Sequence, residues 1–197
     1  MTFNFNDNYF LENDRVLLKP LEESDFENLL HFSVNEPELW EYSLQKGSGV
    51  EGLKNYIQTA IVNRDKENSY PFIVFDKKNH SFAGSTRFYD VQLANQTLQL
   101  GFTWYGKKYQ KTGLNQNCKF LLLEFAFEKM DMERVEFRAD YENKNSIEAM
   151  KKIGCIEEGV LRKNFVKPNG ERRDSIVLSI LKQEWLNNVK ENLLNKL

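Results

Sequence analysis

The sequence predicts an α/β (α+β) fold in which a mixed, mostly antiparallel central sheet of about seven strands is flanked by helices. Short apolar runs alternate with segments of helical periodicity along the chain. Three of these runs, near the middle of the chain, are separated only by short polar turns, which is typical of an antiparallel meander. A long helical segment joins the third run to the next one, and such a strand–helix–strand crossover requires a parallel pair of strands.

The seven predicted strands are short apolar runs bounded by turn residues or proline. In chain order they cover residues 15–20, 70–76, 82–89, 97–104, 134–139, 156–161 and 174–180. The turn before the last strand is assigned to Pro168-Asn169-Gly170. The crossover makes the strands at 97–104 and 134–139 the parallel neighbours.

The predicted helices repeat apolar residues three or four positions apart. The first begins at Ser24, because Ser24-Asp25-Phe26-Glu27 matches a capping box that satisfies free N–H groups at a helix start. The others cover residues 50–64, 113–130, 145–153 and about 183–196. Since no repeat, low-complexity segment or linker divides the chain, we expect a single domain over residues 1–197, with its core at about 13–186.

Composition and charge exclude several classes of protein. The net charge of −2 argues against a general nucleic-acid binder, which needs a basic excess to displace counterions. No apolar run approaches the roughly 18 residues of a membrane helix, and the N-terminus lacks the basic region of a signal peptide. We therefore expect a cytoplasmic protein with no membrane partner. The two cysteines and two histidines do not stand at ligand spacing, and no metal site is expected.

The segment 101–119, where the third meander strand gives way to the long helix, has an unusual charge pattern. No acidic residue occurs between positions 91 and 123, whereas Lys107, Lys108, Lys111 and Lys119 do. A helix N-terminus presents unpaired N–H groups and about half a positive charge. Together with Gly113, which permits a close backbone approach, this predicts a site for phosphate or pyrophosphate. The alternative is a solvated loop whose glycine only begins a helix.

Several motifs together resemble the GNAT superfamily of N-acetyltransferases. Gln110-Lys111-Thr112-Gly113-Leu114-Asn115 is similar to its acetyl-CoA signature, Gln/Arg-x-x-Gly-x-Gly/Ala, with Asn115 in place of the last small residue. Asn143-x-x-Ser146 and Ile153-Gly154-Cys155 match later positions of the superfamily. The segments 15–20, 84–88 and 158–162, with Arg173-Asp174 and Glu184-Trp185, resemble the RimJ/RimL-like branch, which includes ribosomal-protein N-terminal acetyltransferases. The resemblance spans about residues 13–186.

The resemblance implies where acetyl-CoA binds. The parallel strands splay apart, here at Trp104, and the pantetheine arm lies in the gap against the backbone of Phe102, Thr103 and Trp104. The pyrophosphate sits on the N–H groups of Gln110, Lys111, Thr112, Gly113, Leu114 and Asn115. Asn143 contacts the pantetheine arm. Acetyl-CoA is the expected co-substrate, without a metal.

Attack of an amine on a thioester requires a base, stabilisation of the oxyanion and an acid for the thiolate. Many superfamily members use a tyrosine as the acid, but Met150 stands at that position. In the RimJ/RimL-like branch the serine of Asn-x-x-Ser has this role, which makes Ser146 the candidate acid; its alternative role is to cap the following helix. Gln99 replaces the glutamate that often serves as base. The remaining candidate bases, acting through water, are Asp90, Glu136 and Asp140, and a water chain with no dedicated base is the alternative.

The resulting expectation is an enzyme that transfers acetyl from acetyl-CoA to a primary amine by direct attack in a ternary complex. The acceptor is a protein N-terminus or a small-molecule amine such as a polyamine, an amino acid or an aminoglycoside-like compound. Four aromatic residues could line its pocket or pack in the core: Trp40, Tyr42, Trp104 and Tyr105. Arg87 and Arg173-Asp174 either form a structural ion pair or face the acceptor. A homodimer is compatible with the sequence, and the alternative function is a non-catalytic acyl-CoA-binding module.

Overall fold

A single mixed sheet runs through the structure, a computed structural model that describes residues 3–167 and 170–197. Its strands, in chain order, are β1 (Leu11–Glu12), β2 (Val16–Pro20), β3 (Ser69–Asp76), β4 (Ser81–Gln92), β5 (Thr97–Tyr105), β6 (Arg134–Asp140), β7 (Ile156–Val166) and β8 (Arg172–Leu181). Their order across the sheet is β1-β2-β3-β4-β5-β6-β8-β7, and only β5 and β6 are parallel. The predicted α/β fold with one parallel pair is confirmed, and β1 is an eighth strand that was not predicted.

The helices also follow the prediction closely. They are α1 (Phe26–Asn35), α2 (Gly49–Asp65), α3 (Leu114–Glu124), α4 (Lys144–Lys152), α5 (Lys182–Glu184) and α6 (Lys190–Leu194). One turn of π-helix, Phe125–Lys129, extends α3, and a second, Trp185–Val189, joins α5 to α6. Helices α1 and α2 pack against each other, α2 packs on β3, and α3 packs on β1, β2 and α6.

The predicted capping box at Ser24 is wrong. A short 3-10 turn, Glu23–Asp25, precedes α1, and the carboxylate that serves the helix start belongs to Asp25. Asp25 Oδ2 accepts a hydrogen bond from the Glu22 backbone N–H at 3.1 Å, and Oδ1 accepts one from Lys19 Nζ at 2.9 Å. The chain turns two residues earlier than the motif suggests because Asp25 is buried beside Lys19, while Ser24 remains exposed.

The parallel strands separate earlier than expected. Pairing of β5 with β6 is limited to Thr97–Gln99 against Arg134–Glu136, so the strands part five residues before Trp104. Strand β6 continues along β8, whereas β5 stays with β4. The gap between the carboxyl ends of β5 and β6 is therefore a feature of the backbone.

A β-bulge bends β5 beside this gap. Ser85 pairs with Trp104 and Arg87 pairs with Gly101, so Phe102 and Thr103 together lie opposite one residue of β4. Phe102 has a φ of +48°, which is rare for a large side chain. Bulges of this kind increase the bend of a strand and are common next to active sites.

The turn predicted at residues 168–170 falls between β7 and β8. Pro168 and Asn169 of the predicted turn lie outside the described residues, while β7 and β8 on either side pair antiparallel as expected. No helix in the described part of the chain combines the length and apolar composition needed to cross a membrane.

Candidate active site

The loop between β5 and α3 has a backbone suited to an anion. Lys111 and Gly113 have φ values of +59° and +86°, with Gly113 at the N-cap of α3. Left-handed residues of this kind in a turn arrange successive N–H groups into anion-binding concavities. The first N–H groups of α3 add donors that have no partner within the helix, and no acid occupies its first turn.

Side chains hold this loop in place and leave space beside it. Gln110 Nε2 donates to the carbonyl oxygen of Tyr105 at 3.0 Å, and Thr112 Oγ1 donates to that of Tyr109 at 2.7 Å. A Cβ atom added to Gly113 would approach no atom more closely than 4.0 Å. The loop thus combines an anchored backbone with open space at its glycine, as a phosphate group requires.

The lysines near the loop contribute less charge than the sequence suggests. Lys107 forms an ion pair with Glu38, and its backbone N–H donates to Glu36 Oε2 at 2.7 Å. Lys119 is buried away from the loop surface. Of the four lysines between positions 101 and 119, all of which the structure describes, only Lys108 and Lys111 are exposed and form no ion pair with a described residue. An anion at this loop would therefore be held mainly by backbone N–H groups.

Helix α4 is capped by Asn143 and not by Ser146. Asn143 is the N-cap, and its Oδ1 accepts the Ser146 backbone N–H at 3.1 Å. Ser146 lies in the first turn and is half-buried, so its alternative role as the cap is wrong. Met150 is buried one turn further on and offers no proton. Asn143 and Ser146 both follow the carboxyl end of β6, on the far side of the gap from β5.

The residue pattern around this gap is matched by a known family. A family described as "Acetyltransferase (GNAT) domain" matches residues 15–156. The chain belongs to the GNAT family of acetyltransferases. The match includes the bulge, the loop before α3 and the start of α4, and it confirms the resemblance seen in the sequence motifs.

Individual GNAT relatives cover nearly the whole chain. "Probable N-acetyltransferase YjcK" of Bacillus subtilis (strain 168) is 27% identical over 177 residues, which are 87% of this chain and 96% of the relative. "Putative ribosomal N-acetyltransferase YdaF" of the same organism is 25% identical over 181 residues, or 88% and 94% of the two chains. The crystal structure of a GCN5-related N-acetyltransferase from Brucella melitensis has a TM-score of 0.88 over 98% of this chain and 86% of that one. At 21% identity, this structure shows a shared fold.

Lys119 occupies an unexpected position in the GNAT site. Its side chain is 5% exposed, and Nζ donates to Thr103 Oγ1 at 2.8 Å. The Thr103 hydroxyl lies 2.7 Å from that of Thr86, opposite the bulge. Nζ also lies 5.8 Å from the ring centroid of Phe137 on β6, which places the amine between the separated strands. Burial lowers the pKa of Lys119 to about 8.

Lys119→Met is expected to make stability less dependent on pH. The pKa of Lys119 is about 8 in the folded protein and 10.5 in the unfolded chain, so unfolding takes up a proton between these values. The cost of burying the charge is fully present below pH 8 and disappears as pH rises towards 10.5. The variant should exceed the wild type in free energy of unfolding by about 2–3 kcal/mol at pH 7 and by much less at pH 10. Urea unfolding at both pH values measures this; an equal difference at pH 7 and pH 10 would refute the lowered pKa.

The three candidate bases differ in their partners. Glu136 accepts hydrogen bonds from Arg134 at 2.8 Å and Arg138 at 2.6 Å, and Asp140 is buried beside Lys167 at 3.4 Å. Asp90 has no cation within ion-pair distance among the described residues. Its Oδ2 accepts from Gln99 Nε2 at 2.8 Å, at the point where β5 leaves β6. Among the described residues, Asp90 is therefore held by an amide donor, whereas Glu136 and Asp140 are held by cations.

A cleft of about 580 Å³ opens next to the bulge. Helix α2, the 44–46 loop and the adjoining parts of β3, β4 and β5 form its walls, which include Arg87, Tyr89 and Phe102. Trp40, Trp104 and Tyr105 are buried in the core, where the rings of Trp40 and Trp104 lie 4.9 Å apart. Tyr42 is exposed, so core packing accounts for three of the four aromatic candidates.

Of the two alternatives for Arg87 and Arg173-Asp174, the structural ion pair does not form among the described residues. Arg173 Nε donates to Ser175 Oγ at 3.0 Å, and Asp174 Oδ1 accepts the Lys163 backbone N–H at 2.7 Å. Arg87 stands apart from both in the wall of the cleft.

The two cysteines and two histidines, all within the described residues, do not form a second reactive centre. Burial raises the pKa of both thiols, Cys118 and Cys155, to about 12, and a protonated thiol is a poor nucleophile. His31 and His80 are exposed. Within residues 3–167 and 170–197, no group of three or more His, Cys, Asp or Glu side chains could hold a metal ion.

Proposed function

We propose that this chain transfers the acetyl group of acetyl-CoA to a primary amine, either a protein N-terminus or a small-molecule amine. The observation that carries this proposal is the continuity of three features along the chain. Strand β5 leaves β6 after Gln99, bulges at Phe102, and runs into the loop whose glycine begins α3. A gap for an extended arm and a cradle for a diphosphate thus adjoin each other, and coenzyme A contains both groups. The single domain and a cytoplasmic location belong to the same proposal.

The residues that would hold acetyl-CoA are backbone groups for the most part. The N–H groups of Lys111, Thr112, Gly113, Leu114 and Asn115 would receive the pyrophosphate, whereas that of Gln110 already donates to the Lys107 carbonyl oxygen at 3.1 Å. The bulge leaves Phe102 and Thr103 outside the regular pairing with β4, so their backbone can meet the pantetheine arm, with Trp104 following. The Oδ1 atom of Asn143 caps α4 by accepting a hydrogen bond, and its Nδ2 group can donate to the pantetheine arm.

The reaction moves one acetyl group and one proton in total. A C–N bond forms to the acceptor amine while the thioester C–S bond breaks, which gives an amide and the thiol of coenzyme A. The amine loses a proton and the sulfur gains one. Direct attack requires both substrates at once, and the cleft beside Phe102 gives the amine its own entrance. Asp90, held by Gln99, is the proposed acceptor of the amine proton through water, and Ser146 is the proposed donor to sulfur.

Ser146→Ala tests the proton donor. If the Ser146 hydroxyl protonates the thiolate, kcat should fall on the order of 10²-fold while the affinity for coenzyme A is nearly unchanged. Because Asn143 caps α4, the melting temperature should stay close to that of the wild type. Steady-state kinetics with calorimetry measures both, with Asn145→Ala as the control at an exposed position of the same turn. Normal turnover by Ser146→Ala would assign the proton to solvent.

Thiol release from acetyl-CoA tests the function itself. Acceptors should include peptides with free N-termini, amino acids and polyamines, and mass spectrometry should locate the acetyl group. Peptides are included for two reasons: the chain has RimJ/RimL-like motifs, and the relative YdaF is named a putative ribosomal N-acetyltransferase. We expect release that depends on an amine. Binding of acetyl-CoA without release for any amine would favour the non-catalytic alternative, and absence of binding would refute the proposal.

A further inference from the structure

Arg87 is a buried cation without an acidic partner in the described part of the chain. Its side chain is 1% exposed, and neither Nε nor Nη2 has a hydrogen-bond partner among those residues. Its guanidinium lies between two rings, 4.6 Å from the centroid of Tyr56 and 4.2 Å from that of Phe102. Buried arginines are ordinarily paired, because an isolated buried charge is strongly unfavourable.

The two rings that contact Arg87 also place it next to the bulge in β5. Tyr56 donates its hydroxyl hydrogen to the carbonyl oxygen of Phe102 at 3.2 Å, so helix α2 is tied to the bulge. Phe102 belongs both to the bulge and to the wall of the cleft. A group bound at Arg87 would therefore lie close to the place where the acceptor amine has to arrive.

The charged and polar residues of the cleft wall favour an anionic group over a cationic one. Among the residues that the structure describes, the wall contains two cations, Lys46 and Arg87, and the four amides Gln45, Asn55, Asn63 and Asn68, but no acidic side chain. A polyamine would find no carboxylate there for its additional ammonium groups. A carboxylate, by contrast, matches the planar fork of guanidinium donors and would be bound in a setting screened from water.

We infer that the acceptor amine of this enzyme also carries a carboxylate, and that Arg87 binds this carboxylate in the cleft. The inference rests on the proposed acetyl transfer and names the chemical class of its acceptor. The carboxylate belongs either to a free amino acid or to the side chain of an acidic residue near a peptide N-terminus. Both sources present the same chemistry to Arg87.

Two pairs of acceptors, each differing in one carboxylate, test the inference. The pairs are alanine with alaninamide, and the C-terminally amidated peptides Ser-Asp-Ala-Ala and Ser-Asn-Ala-Ala. For each pair we would measure the ratio of kcat/KM, carboxylate member over amide member, in the wild type and in Arg87→Gln. We expect the variant to lower this ratio by on the order of 10- to 100-fold in at least one pair, mainly through KM. The pair that responds identifies the source of the carboxylate.

Controls separate a binding role from a structural one. Arg87→Lys keeps a cation on a similar stem but loses the fork, so it should lose most of the preference even if Arg87→Gln folds poorly. Lys46→Gln removes the other cation of the cleft wall, whose Nζ already donates to the Trp40 carbonyl oxygen at 2.9 Å, and should lower the ratio much less than Arg87→Gln. An unchanged ratio in both pairs for both Arg87 variants, or an equal loss in Lys46→Gln, would overturn the inference.

Failure of the proposed acetyl transfer would give results different from those of failure of the Arg87 inference. No thiol release with any amine would refute acetyl transfer, and calorimetric binding of the same pairs to the coenzyme A-loaded protein would then decide the carboxylate site. Release with amides and polyamines, but with no gain from a carboxylate, would leave acetyl transfer standing and refute the role of Arg87.

Discussion

Replacing Gly113 by glutamate should weaken coenzyme A binding by on the order of 100-fold, from the repulsion between one carboxylate and a diphosphate a few ångströms away. Gly113 begins α3 with a φ of +86°, and the space beside it is open. A glutamate there would place its charge where the loop receives the pyrophosphate and would oppose the N–H groups of the helix start. Isothermal calorimetry with coenzyme A measures the loss.

Gly49→Glu is the matched control. Gly49 also begins a helix, has a φ of +75°, and has no atom within 4 Å of an added Cβ. The substitution therefore introduces the same charge and a similar backbone penalty at another helix start. We expect its affinity for coenzyme A to match that of the wild type. An affinity for coenzyme A that is unchanged in Gly113→Glu, or reduced equally in both variants, would contradict the assigned site.

Gly84→Ala should destabilise the protein by about 3 kcal/mol or more, with a melting temperature lower by about 10 °C. Gly84 pairs with Tyr105 at the end of β5. A Cβ atom at Gly84 would lie 2.0 Å from the carbonyl oxygen of Trp104 and 2.9 Å from the Tyr105 Cα atom. These are backbone atoms of the strand that leads into the phosphate loop, so relief of the contact would move β5 away from β4.

Gly159→Ala isolates this steric effect from the backbone penalty. Gly159 has the same φ as Gly84, +154°, but no atom lies within 4 Å of an added Cβ. It should cost only about 1 kcal/mol, the penalty for alanine in an unfavourable conformation. Differential scanning calorimetry compares the two variants. A similar melting temperature for both would mean that β5 adjusts freely near Trp104.

The sheet was predictable because each long strand carries its own apolar run, and because the crossover through α3 determines which pair is parallel. Strand β1 could not be predicted from the sequence, because a strand of two residues shows no periodicity. It is a strand only because it pairs with β2. The bulge at Phe102 could not be predicted either. Nothing in the neighbouring sequence marks that residue for a positive φ, which follows from the register between β4 and β5.

The loop before α3 was predictable as an anion site candidate from its glycine, its lysines and its resemblance to a family signature, whereas the contacts of its lysines were not. Lys107 is neutralised by Glu38, which lies about seventy positions earlier in the chain, so no local window reveals the pair. The charge pattern of the segment predicts a phosphate-facing Lys119, whereas the structure buries this side chain. The nearly continuous apolar run around it, residues 120–123, was the available signal, because a helix that is apolar on most sides is buried on most sides.

A crystal structure of the protein with coenzyme A tests the central claim most directly. We expect the pyrophosphate oxygens within hydrogen-bond distance of the backbone N–H groups from Lys111 to Asn115, and the pantetheine arm between β5 and β6 beside Phe102 and Thr103. The carboxylate-free wall of the cleft at Arg87 should remain open to the acceptor. Coenzyme A bound elsewhere, or a pantetheine arm outside the gap between β5 and β6, would contradict the account.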